Sequence, residues 1–229
     1  MSGVGPVGCD GSRAVGLRER KKIATRRALG EAALRLALER GFGNVRVGDI
    51  ADAAGVSTRT YNNYFSSREE AICALGAERA RRVVARLRER PGSEPLGDAL
   101  LQAIATPAAH VEPDKATLRL IVCDPALRGE HLKALTEIER PLAEAIAERV
   151  GLDVDRDVGP LVLAAACEGA VRAAALHWLH SDGAPTLYAL LQEALQMLAP
   201  AADALDARGH RRAGRSAVSR TPEEANPCS

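Results

Sequence analysis

The chain has 229 residues, enough for one large domain or two smaller ones. Ala, Leu and Arg dominate while aromatics make up only 3%, a composition that favours helices over sheet. No run of about 18 uncharged apolar residues occurs, and the N-terminus lacks the apolar core of a signal peptide; neither a membrane span nor a secretory leader is expected, and a cytoplasmic protein is.

The net charge of +1 conceals an asymmetry. Residues 1–90 carry 18 Lys/Arg against 10 Asp/Glu, a balance of +8, whereas residues 91–229 carry 13 against 20, a balance of −7. A basic first part followed by an acidic second part points to nucleic acid as the partner of the first part alone.

In chain order, residues 1–16 hold five Gly without apolar periodicity and read as a disordered tail. A first helix is predicted over residues 17–40, with Leu29, Ala33 and Leu36 on its buried stripe and Gly41 ending it. Arg18, Arg20, Lys21 and Lys22 open this helix; they can sit along a phosphate backbone or reach a minor groove, and a solvated helix start is the alternative.

Residues 42–68, FGNVRVGDIADAAGVSTRTYNNYFSSR, carry the most information. Val47, Ile50, Ala51 and Ala54 recur at helical spacing, which predicts a second helix over 47–54. Gly55 follows where a helix end wants a left-handed residue, and Val56 can plug the gap between two crossing helices. Ser57 stands at an N-cap position, and a short helix from 58 to 64 or 65 would bury Tyr61 and Phe65. Its other face carries Thr58, Arg59, Asn62 and Asn63, side chains able to hydrogen-bond base edges. This is the order of a helix-turn-helix; an ordinary helical hairpin is the plainer reading, against which the base-reading groups and the basic run upstream both count. Arg59 is the first choice for a guanine contact, because its fork matches O6 and N7, and Asn62 or Asn63 for adenine.

A fourth helix is predicted over 68–90, closed by Pro91-Gly92, then helices over 95–106 and 114–123. A helix over 127–150 should be kinked or split by Pro141. The stretch 155–180 is long and nearly all apolar, 185–205 forms a last helix, and no alternating strand pattern stands out. Residues 207–229 read as a tail, whose Arg208, Arg211, Arg212 and Arg215 either touch DNA phosphates or, as the simpler reading, stay solvated. Residues 161–179 are apolar around most of the helix and must be buried on several sides; a homodimeric four-helix interface would do this, as would the central helix of a monomer.

Polar groups on the apolar helices are the candidates for holding a ligand: Arg119, Glu168 and Arg172, with Cys123, His177 and Trp178 near them in the pattern. Glu168 and Arg172, four apart, pair with each other on the simplest reading; Arg119 suits an anionic ligand group or a salt bridge. The cysteines at 9, 73, 123, 167 and 228 have no CxxC spacing and read as free thiols, with Cys73, Cys123 and Cys167 as small hydrophobes and a thiol sensor as the lesser reading. Asp153, Asp155 and Asp157 alternate as in a calcium loop, but Val158 and Ala164 occupy its Gly and Glu positions, so the run reads as an N-terminal cap for the long helix. His177 and His180 lack further ligands, and neither a Gly-rich phosphate loop nor a nucleophile elbow occurs. No metal, cofactor or enzymatic activity is expected.

Thr25-Arg26, Ala32-Ala33, Gly41-Phe42, Val47, Asp49-Ile50-Ala51, Ala54-Gly55-Val56-Ser57, Thr60, Tyr64-Phe65 and Ser67-Arg68-Glu69 stand in register over roughly residues 20–75. Together they resemble the TetR family of bacterial transcriptional regulators. The resemblance implies an all-α homodimer: an N-terminal three-helix helix-turn-helix head (17–66) that binds double-stranded operator DNA, on a helical ligand-binding and dimerisation body (67–206), between tails at 1–16 and 207–229. It implies phosphate contacts from Thr60, Tyr64 and Arg68.

The segment LRLIVCDPALR (118–128) and the helix ending in His177-Trp178-Leu179 are similar to the regulator of mycofactocin gene clusters and its relatives, which implies an acyl-CoA or other hydrophobic effector. The function implied is a ligand-responsive regulator, a repressor first and an activator or dual regulator second; an acyl-CoA or lipid-binding protein without specific operator binding is the alternative. Four positions depart from the family pattern. Val45-Arg46 replaces two Thr, so the hydroxyl cap of the second helix is missing and Arg46 is free to contact a phosphate instead. Gly30 inside the first helix costs about 1 kcal/mol against Ala, and Ala37 replaces a usual Phe.

Overall fold

A computed structural model describes residues 10–105, 114–182 and 185–218. Among them it contains ten α-helices and no strand: α1 (Asp10–Arg40), α2 (Val47–Ala53), α3 (Thr58–Asn62), α4 (Arg68–Glu89), α5 (Leu96–Ile104), α6 (Lys115–Cys123), α7 (Pro125–Val150), α8 (Val158–His180), α9 (Leu187–Gln196) and α10 (Ala199–Val218). The chain divides into two compact units, residues 1–76 with 120–131, and residues 77–119 with 132–229. The boundaries fall inside α4, α6 and α7.

The first unit is built on α1, whose Leu29, Ala33 and Leu36 are buried as the periodicity predicts. They meet Val45, Ile50, Tyr61, Phe65 and Ile72 in one cluster, completed by Ile121 and Leu127 from the second segment of the unit. Gly41 ends α1 with φ 78°, and a 3₁₀ turn over Phe42–Asn44 leads to α2. Gly30 has a packing reason: a Cβ there would lie 3.3 Å from the Ala74 Cβ and 3.4 Å from the Ala71 carbonyl, so its missing side chain lets α1 approach α4. The helix starts at Asp10, earlier than the expected residue 17. The remaining residues of the expected N-terminal tail, 1–9, lie outside the described structure, as does the end of the C-terminal one, 219–229.

The second unit buries Leu100, Ala103 and Ile104 of α5, Leu142 and Ile146 of α7, Leu163 and Cys167 of α8, and Leu187, Leu190, Leu191 and Leu195 of α9. Arg149 closes the far end of α4 by donating to the carbonyls of Arg90 (3.2 Å), Pro91 and Glu94 (both 2.6 Å).

Several sequence expectations need correction here. Of the kink or split expected at Pro141, the split does not occur: α7 runs through it, because Leu142, Ala143, Ile146 and Val150 beyond the proline are buried with the same core as Ile138 before it. The single helix expected over 185–205 is two, α9 and α10, broken at Met197-Leu198. Pro200 has no N–H and its ring would collide with the carbonyl of Gln196, so it fits only in the first turn of a new helix. Asp157 does precede α8, but its side chain caps no helical N–H. The carboxylate is buried and takes ion pairs from Arg208 (3.2 Å) and Arg212 (2.6 Å). Those two arginines therefore belong to the body and not to a solvated tail. Cys123 is exposed, not a core hydrophobe, whereas Cys73 and Cys167 are buried.

By length and composition α8 could cross a membrane, with mean hydropathy 1.4. Here it packs on α9 and α10 and buries Leu163, Ala164, Cys167, Ala174 and Leu179.

Candidate nucleic-acid interface

The α2–turn–α3 segment is fixed by local chemistry. Val56 N–H donates to the Ala51 carbonyl at 2.9 Å and Gly55 N–H to Asp52 at 3.0 Å, with Gly55 at φ 68°. This 6→1 and 5→2 pair closes α2 in a Schellman motif. Ser57 then caps α3 by accepting from Thr60 N–H at 3.1 Å. At the start of α2, Arg46 N–H donates to the Asp49 carboxylate at 3.0 Å, so Asp49 satisfies a group that a hydroxyl at 46 could not.

Two clamps hold the far side of α3. Tyr61 is 1% exposed, its ring lies 5.7 Å from that of Phe65, and its hydroxyl donates to the Ser67 carbonyl at 2.7 Å. Burial, with help from Glu70 and Glu69, pushes the Tyr61 phenol up to about 12, so it stays a donor. Arg26 reaches from α1 to donate to the Tyr64 carbonyl and to Glu70 (3.0 Å), and its guanidinium lies 4.2 Å from the centre of the Phe65 ring. Burial pushes the Glu70 carboxyl up, but the Ser66 N–H, Arg26 and the Ser66 hydroxyl outweigh it and hold the group below its ordinary value. Neither Arg26 nor Glu70 is among the candidate site residues of the sequence analysis; the S-x-x-E spacing of Ser67 and Glu70, a helix-start signature, is the signal that could have marked the second.

The other face of α3 is open. Thr58, Arg59, Asn62 and Asn63 are exposed, and their side chains make no hydrogen bond or ion pair among the described residues. The remaining candidates differ. Arg46 is exposed at the N-cap of α2. Thr60 is half-buried and its hydroxyl lies 2.9 Å from that of Ser57. Tyr64 is half-buried, with its carbonyl held by Arg26. Arg68 is engaged: it donates to the Val45 carbonyl (2.8 Å), pairs with Glu69 (3.2 Å) and stacks 4.4 Å from the centre of the Phe42 ring. It therefore ties the start of α4 to the loop before α2.

The candidate ligand residues differ in exposure and surroundings. Arg119, Arg172 and His177 are exposed, as is Cys123 in the first unit, while Glu168 and Trp178 are half-buried. Glu168 forms no ion pair with Arg172 among the described residues. Its pKa is raised, by burial first and by Glu139 of α7 second, with Arg172 opposing weakly. Trp178 lies 5.2 Å under the Lys115 ammonium, which also donates to the Ser181 carbonyl. The second unit contains the following cavities among others. One, about 10 Å³, holds at most a water and is lined by Gly97, Leu100, Cys167 and Leu195 among others. Another is a cleft of about 250 Å³ lined by Arg81, Val84, Glu137, Ile138 and Pro141. None of the six candidates lines either. Burial pushes the thiols of Cys73 and Cys167 up to about 12, so neither is a ready thiolate.

Residues 29–72 match the family model for bacterial regulatory proteins of the tetR family, and residues 93–203 match that for the MftR C-terminal domain, in keeping with the resemblance read for the body. The HTH-type transcriptional regulator TcmR of Streptomyces glaucescens is 31% identical over 197 residues, covering 81% of this chain and 87% of that protein. Among solved structures, Thermus thermophilus FadR, a TetR-family repressor in complex with lauroyl-CoA, is 22% identical with a TM-score of 0.52, over 76% of this chain and 92% of that one. A Pseudomonas aeruginosa PAO1 chain solved as a candidate transcriptional regulator is 20% identical with a TM-score of 0.52, over 82% and 92%. The shared all-helical fold, the helix-turn-helix at its N-terminal end and these matches together establish that the chain belongs to the TetR family of transcriptional regulators.

Proposed function

We propose that the chain acts as a homodimeric repressor that binds a palindromic operator and is released by a small hydrophobic or acyl-CoA-like effector. The observation that carries this reading is the open face of α3. Four base-reading side chains stand exposed and unengaged on a short helix whose other face is locked by Ser57, Tyr61 and Arg26. A rigid helix with free donors and acceptors is what major-groove readout needs. In this reading residues 17–66 are the head. Arg59 reads guanine, Asn62 or Asn63 adenine, and Thr58 adds a base-edge contact, while Arg46, Thr60 and Tyr64 meet phosphates. Arg68 contacts a phosphate only from its place beside Val45, so it orients as much as it binds.

Residues 67–206 are the ligand-binding and dimerisation body. The match to the MftR C-terminal domain and the lauroyl-CoA held by the Thermus protein support an acyl-CoA-like effector. Arg119, Cys123, Glu168, Arg172, His177 and Trp178 remain the proposed contacts. None of them lines the cleft of about 250 Å³, which is itself smaller than the roughly 300–1,000 Å³ usual for ligand sites. An effector that prefers a more open body would shift the population away from this one, by no more than its differential affinity for the two states. The protein carries out no chemistry of its own in this scheme and works in the cytoplasm.

The test is fluorescence anisotropy on DNA from upstream of its own gene, against a scrambled duplex at fixed near-physiological salt. A preference of roughly 10³ or more supports a specific operator binder, and lauroyl-CoA is then titrated for release. Equal, weak binding to both duplexes, repeated with a genomic pool, would move the protein to an acyl-CoA or lipid binder without a specific operator.

A further inference from the structure

The helices of this chain commonly pair their arginines with acids one turn away. Arg27 holds Glu31, Arg35 holds Glu39, Arg82 holds Glu78, Arg90 holds Glu94 and Arg140 holds Glu144. Arg79 of α4 has no such partner. Its neighbours one turn away are Leu75, Gly76, Arg82 and Val83, none of them an acid. Among the described residues of the second unit it is also the one half-buried arginine without a hydrogen bond or ion pair. Arg81, Arg119, Arg172 and Arg211 lack partners too, but they are exposed, where water solvates the charge.

Arg79 shares a stripe of α4 with Val83 and Arg86, four and seven residues on. Val83 packs against the core of the second unit, and Arg86 donates to the Ala103 carbonyl of α5 at 3.3 Å. The stripe therefore faces inward, and Arg79 brings a charge to the edge of an apolar core. Burial first and Arg82 second pull its guanidinium below the ordinary value, with Glu78 opposing. Arginine does not give up its proton in a protein, so the cation stays and its desolvation goes uncompensated. Its N–H groups are still within reach of solvent: among the described side chains, Arg149 Nε is the one buried nitrogen sealed without a partner. An anion can therefore arrive at Arg79 from water.

We infer that Arg79 binds the anionic group, carboxylate or phosphate, of an amphipathic effector whose apolar part lies against Val83 and the core behind it, which rests on the reading of residues 67–206 as the effector-binding body. This narrows that reading to anionic effectors and removes neutral hydrophobic ones. The planar guanidinium fork matches a carboxylate or a phosphate with two parallel hydrogen bonds, and Arg82 adds a second positive charge three residues on. Arg119 offers an anion less, because its exposed charge is screened by water.

The experiment measures binding of lauroyl-CoA, laurate and uncharged 1-dodecanol to the full chain by isothermal titration calorimetry, in wild type, Arg79→Gln, Arg79→Lys and, as an exposed control, Arg211→Gln. Arg79→Gln should weaken at least one of the two anions roughly 10- to 100-fold and leave 1-dodecanol unchanged. Arg79→Lys should recover part of the loss, and Arg211→Gln should match the wild type. A loss confined to laurate identifies a carboxylate as the bound group, and one confined to lauroyl-CoA a phosphate. Equal affinities in wild type and Arg79→Gln overturn the assignment. So does an equal loss of 1-dodecanol, since Arg79 would then hold the fold and not the anion. If none of the three ligands binds the wild type, the acyl-effector reading fails by itself and pyrophosphate decides the site. Thermal protection by pyrophosphate in the wild type and not in Arg79→Gln keeps the anion site, and the same response in both removes it.

Discussion

At the residue scale, the side chains of α3 divide sharply between those that hold the helix and those free to read. Arg59 belongs to the second group: it is exposed and meets no partner among the described residues. Arg59→Ala should leave the melting temperature unchanged and cost about 1–3 kcal/mol on the operator while relaxing one base position. An equal loss on scrambled DNA would make it a phosphate contact instead. Glu70 belongs to the first group, and its pKa gives a signed test. Its folded value lies below the ordinary 4.5, so its stabilisation is present above that pH and is lost as pH falls through the folded value. Glu70→Gln should therefore lower the melting temperature at pH 7, with the gap to wild type closing as the medium is acidified. Glu168 has the opposite sign. Its raised pKa makes the charged form unfavourable in the folded body, and the stability it adds below 4.5 disappears as pH rises through the folded value. Glu168→Gln should thus raise the melting temperature at pH 7 and do little near pH 4. A pair of melting curves with gaps of the same sign would contradict the two environments described for these carboxylates.

At the element scale, what is legible in the sequence is what neighbours along the chain decide. Gly55 and Ser57 fix the turn between α2 and α3 through bonds spanning at most five residues, and both stand out from residue type and position alone. Spacing alone puts Tyr61 and Phe65 on the core side, and both are buried. Where distant segments decide, the sequence misleads. Pro141 looks like a helix breaker in a helix that tertiary burial holds together, and Pro200 is inconspicuous although it sits in the first turn of α10. The ligand candidates are polar groups on apolar helices, but periodicity does not say which side of a helix another element covers; Arg119, Arg172 and His177 are exposed. The packing of α10 is hidden for the same reason. Asp206 caps the N–H of Leu96 at the start of α5 (2.8 Å), Arg208 and Arg212 grip Asp157, and a Cβ on Gly209 would run into the Val150 carbonyl. Gly209→Ala should accordingly destabilise the body by about 1–3 kcal/mol or more, since backbone must move. Gly159→Ala meets only the Cδ1 of Leu205, a flexible side-chain end, and should cost clearly less. Thermal unfolding of the two variants side by side makes the comparison; equal losses would mean that α10 does not press on Val150.

At the scale of the whole molecule, the charge division of +8 before residue 91 and −7 after it suits a regulator whose first part alone approaches DNA. Reading a palindrome also requires two heads spaced by about 34–36 Å, one turn of duplex, so dimerisation decides whether the open face of α3 becomes specificity. The helix best suited to pairing is α8. It buries Leu163, Cys167 and Ala174 inward, yet Val158 is 67% exposed, Val162 59% and Leu176 38%, an apolar outer side that continues through Ala165 and Ala173. A second copy placing the same helix against it would remove that surface from water at about 25 cal/mol per Å². Val162 gives a clean probe, because a carboxylate at a position this exposed costs the isolated chain little but sits without a partner inside a symmetric interface. Val162→Glu should therefore melt close to wild type, run as a monomer where the wild type runs as a dimer by size-exclusion chromatography with light scattering, and lose operator preference while keeping most of its salt-dependent binding to scrambled DNA. A variant that stays dimeric with its preference intact would move the interface to another helix. A wild type that is itself monomeric at the concentrations where it selects its operator would show that one head suffices, and the palindromic operator would have to be given up with the dimer.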